Sequence, residues 1–178
     1  EYYKDNNKNV VCEYFHENGN KHLIETYVKN SKDGEFSYWD KNGVKVFTKN
    51  FKNHKLDGLW TEWYPNGNIL WKINFKENRL YGKFNEWYEN GNLKKEKKFA
   101  ESFYKDGIWY ENLLTGTSIE WYRNGNKKFE KNYENGQLSG KSIDWLENGQ
   151  IIYEKNYKNN LLNGIQTSWY SNGQKKLT

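Results

Sequence analysis

The sequence predicts an all-β protein built of repeated β-hairpins, on three observations. The dipeptide Asn-Gly occurs seven times, at Asn18-Gly19, Asn42-Gly43, Asn66-Gly67, Asn90-Gly91, Asn124-Gly125, Asn148-Gly149 and Asn172-Gly173. The spacing is 24 residues everywhere except for one gap of 34 between Gly91 and Gly125, which is the mark of one structural unit copied along an axis. The segments around each dipeptide are seven or eight residues long and rich in Trp, Tyr and Phe, too short and too aromatic for helices.

Composition agrees with a thin structure. At 35% hydrophobic and 29% charged the chain has little material for a thick core, and nine Trp, fifteen Tyr and nine Phe make up part of the missing apolar mass. The formal net charge of +5 comes from interspersed signs, which favours solubility and selects no partner. The lone Cys12 cannot form an intramolecular disulfide, and no apolar run approaches the roughly 18 residues of a membrane span. The chain contains no methionine, and the expectation is an exported mature protein, periplasmic, secreted or at the cell surface, rather than a cytoplasmic one.

Taken in order, residues 1–178 read as a single repeat domain of about seven units of 24 residues. The first, near 10–33, is a degenerate cap with Val10 and Phe15 where later units have Gly and Trp. Later units open on Gly34, Gly58, Gly82, Gly116, Gly140 and Gly164, and place Trp five residues on, at Trp39, Trp63, Trp87, Trp121, Trp145 and Trp169. An aromatic closes the second strand at Tyr27, Phe51, Phe75, Phe99, Tyr133 and Tyr157. Between Phe99 and Leu114 lies a ten-residue insertion, within 100–113. There Asp106-Gly107, flanked by Phe103-Tyr104 and Ile108-Trp109, signals a short extra hairpin. It is either a recognition loop or a decayed repeat fragment tolerated on the surface.

Pro65 chooses the turn type. A two-residue loop at Asn66-Gly67 would need an N–H from position 65, which proline lacks. A three-residue loop, Pro65-Asn66-Gly67, fits a type I turn followed by a left-handed glycine in a G1 bulge. Carried along the strands, this register pairs Trp63 with Ile69 and Thr61 with Trp71, so that Trp63, Ile69, Trp71, Ile73 and Phe75 share an apolar face. The same face then collects Ile119, Trp121, Phe129 and Tyr133, followed by Ile143, Trp145, Ile151, Tyr153 and Tyr157. The opposite, amphipathic face carries the candidate interaction surface: Trp60, Glu62, Tyr64, Phe84, Glu86, Tyr88, Glu120 and Tyr122. The candidate insertion hairpin adds Phe103, Tyr104, Asp106, Gly107, Ile108 and Trp109.

The pattern Gly-x-x-x-Glu-Trp-Tyr-x-Asn-Gly, seen at Gly82 to Gly91, together with Lys-Asn-x-x-Leu-x-Gly at Lys158 to Gly164, resembles the bacterial variant of the MORN repeat. The resemblance covers essentially all of residues 10–178. It implies an elongated, twisted, single-layer antiparallel meander of hairpins and a function in interaction. Some relatives are labelled antitoxins of toxin–antitoxin systems and others are linked to membranes or phospholipids. No catalytic residues come with the family.

Site chemistry read from the residues is sparse. Glu62, Glu86, Glu120 and Asp144 recur at one repeat position, but a flat row without opposing walls lacks the cleft and the burial that paired-carboxylate catalysis needs. Cys12, Tyr14, His16 and His22 fall on the first hairpin's amphipathic face, too far apart for four zinc ligands at about 2.0–2.3 Å. The basic cluster Lys94-Lys95-Glu96-Lys97-Lys98 alternates faces and is interrupted by an acid, unlike the continuous groove of a single-strand nucleic-acid binder. The reading is therefore a non-enzymatic scaffold without cofactor or metal that binds a protein partner, with a cognate toxin as one candidate. The alternative is a peripheral membrane or phospholipid-binding module, in which Lys meets anionic headgroups and Trp or Tyr enters the interface.

Overall fold

The Asn-Gly dipeptides close hairpins by the three-residue turn that Pro65 requires. In the computed structural model, which describes residues 9–176, the Gly67 N–H donates to the Tyr64 carbonyl at 2.9 Å and the Tyr64 N–H to the Asn68 carbonyl at 2.8 Å. Gly67 sits at φ 84°, the left-handed value of a G1 bulge. The same pair of hydrogen bonds recurs around Gly19, Gly43, Gly91, Gly125, Gly149 and Gly173. Hairpins are joined to one another by tighter two-residue turns with both residues left-handed, such as Lys29-Asn30 and Asn159-Asn160, the type I′ geometry whose twist matches that of the strands.

Two compact units result, Glu1–Leu80 and Tyr81–Thr178. Strands β1 (Asn9–Phe15), β2 (Lys21–Val28), β3 (Ser31–Trp39), β4 (Lys45–Lys52), β5 (Lys55–Leu56), β6 (Gly58–Trp63) and β7 (Ile69–Lys76) build the first. Their spatial order is β1-β2-β3-β4-β6-β7, with β5 paired to β4. Most of β8 (Arg79–Trp87) belongs to the second unit, with β9 (Leu93–Phe99), β12 (Gly116–Trp121), β13 (Lys127–Glu134), β14 (Gln137–Trp145), β15 (Ile151–Lys158), β16 (Leu161–Leu162) and β17 (Thr167–Ser168). These also pair in chain order, β16 and β17 both against β15. The insertion forms a separate two-stranded sheet of β10 (Phe103–Lys105) and β11 (Ile108–Tyr110), with Phe103 opposite Tyr110 and Asp106-Gly107 as its tip. The side chains of Tyr104 and Trp109 lie outside what the structure describes.

One part of the expected register is corrected. Trp63 pairs with Ile69 as anticipated, but the next pair is Glu62–Trp71, not Thr61–Trp71. Leu70 is an extra residue on the second strand, a bulge beyond the one in the turn. A one-residue slip moves every side chain beyond it to the other face. The shift recurs between Tyr14/Phe15, Tyr38/Trp39, Glu86/Trp87, Glu120/Trp121 and Asp144/Trp145. Trp60 and Glu62 therefore lie with Trp71, Ile73 and Phe75, on what is called below the closing-aromatic face. Trp63 turns to the reverse face, where Lys45 Nζ stands 5.0 Å from the Trp39 ring and 5.3 Å from the Trp63 ring. Ile119 and Ile143 pair with Glu130 and Glu154, and so oppose Phe129, Tyr133 and Tyr153 rather than joining them.

The opening glycines mark a third irregularity. Gly58 sits within β6 at φ 106°, and a Cβ there would stand 3.2 Å from Asn50 Cβ. Only glycine meets both conditions without strain. Its cross-strand partner is Phe75, and the other pairs repeat this arrangement: Gly34 with Phe51, Gly116 with Tyr133 and Gly140 with Tyr157. An aromatic opposite a strand glycine makes up for packing the glycine cannot supply.

Burial is shallow throughout. Among the described residues Ile73, at 7% exposure, is the one large apolar side chain that is enclosed, and the other buried side chains are the small polar Ser37, Thr61, Ser118 and Ser142.

Candidate functional site

The closing-aromatic face of the first unit concentrates rings. Cross-strand pairs place Tyr38 opposite Phe47 and Trp60 opposite Ile73, because alternate residues of each strand are sent to the reverse face. Trp60 packs against Trp71 at 5.1 Å and Phe75 at 5.7 Å between ring centroids. Phe36 packs against Phe47 at 6.0 Å and Phe51 at 5.9 Å, and Tyr38 lies 5.5 Å from Phe47. All seven rings stay half-buried.

Two lysines lie on these rings. Lys49 Nζ stands 3.9 Å from the Trp60 ring and 4.5 Å from that of Phe47, and Lys32 Nζ stands 4.5 Å from Phe36. Burial pushes the Lys49 ammonium below its usual range, the Glu62 carboxylate opposes this, and Lys32 adds to the lowering. The Trp60 indole N–H is out of contact with water and has no acceptor. A buried donor left unpaired costs about 1–3 kcal/mol.

The residues expected to form one interaction surface thus have different situations. Trp60 and Glu62 belong to the aromatic face instead of opposing it. Tyr88 and Tyr122 spend their hydroxyls inside the fold, each donating at 2.9 Å to the backbone carbonyl of the next repeat's tryptophan, Trp121 and Trp145. His16 fills the same place in the first repeat, its Nε2 lying 3.0 Å from the Trp39 carbonyl. Glu86 and Glu120 share Lys95, at 3.8 and 2.9 Å, and Lys94 approaches Glu86 to 2.5 Å. Phe84 faces Lys97 across the β8–β9 ladder. Tyr64 sits at the turn that Pro65 shapes, its backbone N–H and C=O closing the loop.

A polar ladder not expected from the sequence links repeats. Asn124 Nδ2 and Asn126 Nδ2 both donate to the Glu147 carbonyl, at 2.9 and 2.8 Å, and Asn18 and Asn20 do the same at the Lys41 carbonyl. The signal was present as the second Asn of Asn-Gly-Asn. The first-hairpin polar residues do not converge on a metal: Cys12 pairs with Glu25, while the His16 ring packs at a tilt against His22 at 4.3 Å. Among the described residues no group of three or more His, Cys, Asp or Glu is placed to hold an ion.

Comparison with known proteins agrees with this geometry. The MORN repeat variant family matches residues 32–53, 56–77, 80–101, 114–135 and 138–159, more than half of the 178. Each match begins just before an opening glycine and ends just after a closing aromatic. Compared with curated proteins, the chain finds no match.

Proposed function

This chain belongs to the MORN repeat variant family, and we propose that it is a non-enzymatic scaffold that binds a protein partner through the closing-aromatic face of its first unit. The observation that supports this is the group of seven half-buried rings, Phe36, Tyr38, Phe47, Phe51, Trp60, Trp71 and Phe75, interleaved with Lys32 and Lys49. A contiguous apolar patch of this kind is what binding surfaces offer, and Trp, Tyr and cationic side chains are the usual anchors. Lys49, resting on Trp60 and Phe47, fits a partner that brings a carboxylate.

A photo-crosslinking residue in place of Lys49 tests this against the same residue in place of Lys72, on the reverse face. Recovery of one partner from position 49 and not from position 72 is expected, and equal recovery from both would remove this face from consideration. A cognate toxin is the finer reading of the partner, which the family resemblance supports. Co-expression of the chain should then relieve growth arrest caused by the product of its neighbouring gene, and Trp60→Ala should lose that relief.

The membrane reading is favoured by the lysines resting on rings, since such pairs suit an anionic interface. Co-sedimentation with anionic and neutral vesicles separates the two. Salt-sensitive binding to anionic vesicles alone favours the membrane, and binding to neither leaves the protein partner.

A further inference from the structure

Three dipeptides, Glu96-Lys97, Glu130-Lys131 and Glu154-Lys155, look like mixed charge in sequence and become separated charge in space. Neighbouring residues on a strand point to opposite faces. In the second unit the ladder sets Lys131 opposite Ser118 on one side and Ser142 on the other, and Ser142 opposite Lys155. The Glu96–Ile119 pair puts Lys97 beside Ser118. One row on the closing-aromatic face therefore reads Lys97, Ser118, Lys131, Ser142, Lys155. The row behind it reads Glu96, Ile119, Glu130, Ile143, Glu154.

The two rows differ in how their charges are met. Glu96 accepts from Asn85 Nδ2 at 3.0 Å, Glu130 is met by Lys127 at 2.6 Å and Glu154 by Lys141 at 3.0 Å. Among the described residues none of Lys97, Lys131 and Lys155 is paired with a carboxylate. Lys131 and Lys155 rest over Phe129 and Tyr153, at 4.5 and 4.7 Å from the ring centroids. In the adjoining row Glu86 and Glu120 are held by Lys94 and Lys95, which leaves Asp144 against the three lysines.

The shape is a trough. Ser118 and Ser142, each 3% exposed, are its small floor residues, with Phe129 and Tyr153 on one flank and Tyr133 and Tyr157 on the other. At Lys155 it meets a groove of about 540 Å³ lined also by Tyr153, Gln166, Thr167 and Ser168. Lysines two strands apart recur about every 9.6 Å, and rows two residues apart along a strand lie about 6.8 Å apart. A helix about 10–12 Å across, laid along the lysine row, touches with its sides the aromatic rows that flank it at about 6.8 Å, and its side chains seven residues apart recur on one face about every 10.5 Å. The mismatch, about 2 Å over three lysines, is within reach of their four-carbon stems. An extended strand, at about 6.8 Å between same-side residues, falls out of step at once.

We propose that this trough docks an acidic amphipathic α-helix of a partner protein, its carboxylates seven residues apart on Lys97, Lys131 and Lys155 and its apolar side chains on the flanking rings. The proposal rests on the protein-scaffold reading and adds the chemistry of the partner.

The probe is a hydrocarbon-stapled helical peptide with Glu at every seventh position among Leu and Ala, matching the helical repeat. A peptide of identical composition with Glu at every fifth position, a poly-thymidine oligonucleotide and phosphatidylserine vesicles are the comparisons. Binding to the full chain is read by fluorescence anisotropy. The seven-spaced peptide should bind about tenfold more tightly than the five-spaced one, which is about 1.4 kcal/mol. Lys131→Gln should remove most of that difference, while Lys127→Gln, on the reverse face, leaves it unchanged. Circular dichroism of both variants guards against misfolding. Equal binding of the two peptides, equal loss from both variants, or preference for vesicles or oligonucleotide through the same lysines would overturn the proposal. One partner crosslinked at position 49 together with equal binding of the two peptides sinks the acidic helix and keeps the scaffold. No partner crosslinked at position 49 and no peptide bound sinks the scaffold itself.

Discussion

The two units share a repeat and a register, yet they put their bulk on opposite sides. Two residues after the opening glycine the first unit has Phe36 and Trp60, and the next position has the buried Ser37 and Thr61. The second unit exchanges them, with buried Ser118 and Ser142 followed by Ile119 and Ile143. Since consecutive strand residues face opposite ways, this exchange moves apolar mass from the closing-aromatic face to the reverse without altering one backbone hydrogen bond. Phe84 still follows the first pattern, so the exchange falls between Phe84 and Ser118, the interval that holds the insertion. One face is then left rich in rings and its counterpart is left as a lysine-lined trough. A uniform scaffold thus acquires distinct surfaces through two adjacent positions.

Equivalent substitutions in the two units should therefore have unequal effects. Trp60→Ala, which removes contacts with Trp71 and Phe75, should cost about 3 kcal/mol, at the lower end for a large aromatic because the ring is half-buried. Ser142→Ala, at the same repeat position, should stay within about 0.5 kcal/mol. Urea unfolding followed by hydrogen exchange in each unit makes the measurement, and equal costs would mean that the two faces pack alike.

Glycine substitutions probe what the units share. Gly58→Ala should cost about 2 kcal/mol, since alanine must take up a left-handed conformation and meets Asn50 Cβ at 3.2 Å. Gly140→Ala, where the corresponding approach to Asn132 is 3.6 Å, should cost less.

A smaller effect is expected at the latch between repeats. Tyr122→Phe removes the hydrogen bond to the Trp145 carbonyl and should cost about 1 kcal/mol, with exchange quickening at Trp145 and its neighbours. No change there would assign the latch no part in coupling repeats.

The smallest effect is a shift in titration. Burial, and then the Glu120 carboxylate, push the Tyr133 phenol above its ordinary value of 10.0. A folded value raised above the unfolded one contributes stability that is complete below pH 10 and is lost as pH climbs through the folded value. Glu120→Gln should lower the Tyr133 midpoint, read by NMR of tyrosine labelled at Cζ, while leaving it above the ordinary value because burial remains. An unmoved midpoint would separate Glu120 from Tyr133.

Much of this was legible in the residues. Pro65 excluded the two-residue loop, and the three-residue turn recurs at all seven Asn-Gly dipeptides. Asp106-Gly107 marked the tip of the extra hairpin. The bulge at Leu70 was not read, although Ile69-Leu70-Trp71 and Ile151-Ile152-Tyr153 break the apolar–polar alternation where it falls. Nothing in the sequence marks Tyr88 and Tyr122 as latches, because their acceptors are backbone carbonyls a repeat away and any residue supplies those.

By itself the sequence determined the period, the strands and the turns. Those depend on local chemistry: a proline without an N–H, glycines that accept left-handed angles, and aromatics that fill a pleated surface. Which side chains share a face was decided only in the tertiary structure. A strand's two sides are related by a single residue, so one bulge per hairpin carried Trp60 to the rings of Trp71 and Phe75 and turned Trp63 away. The same alternation sorted adjacent Glu and Lys onto opposite faces. The lysine trough therefore exists only once the strands are paired.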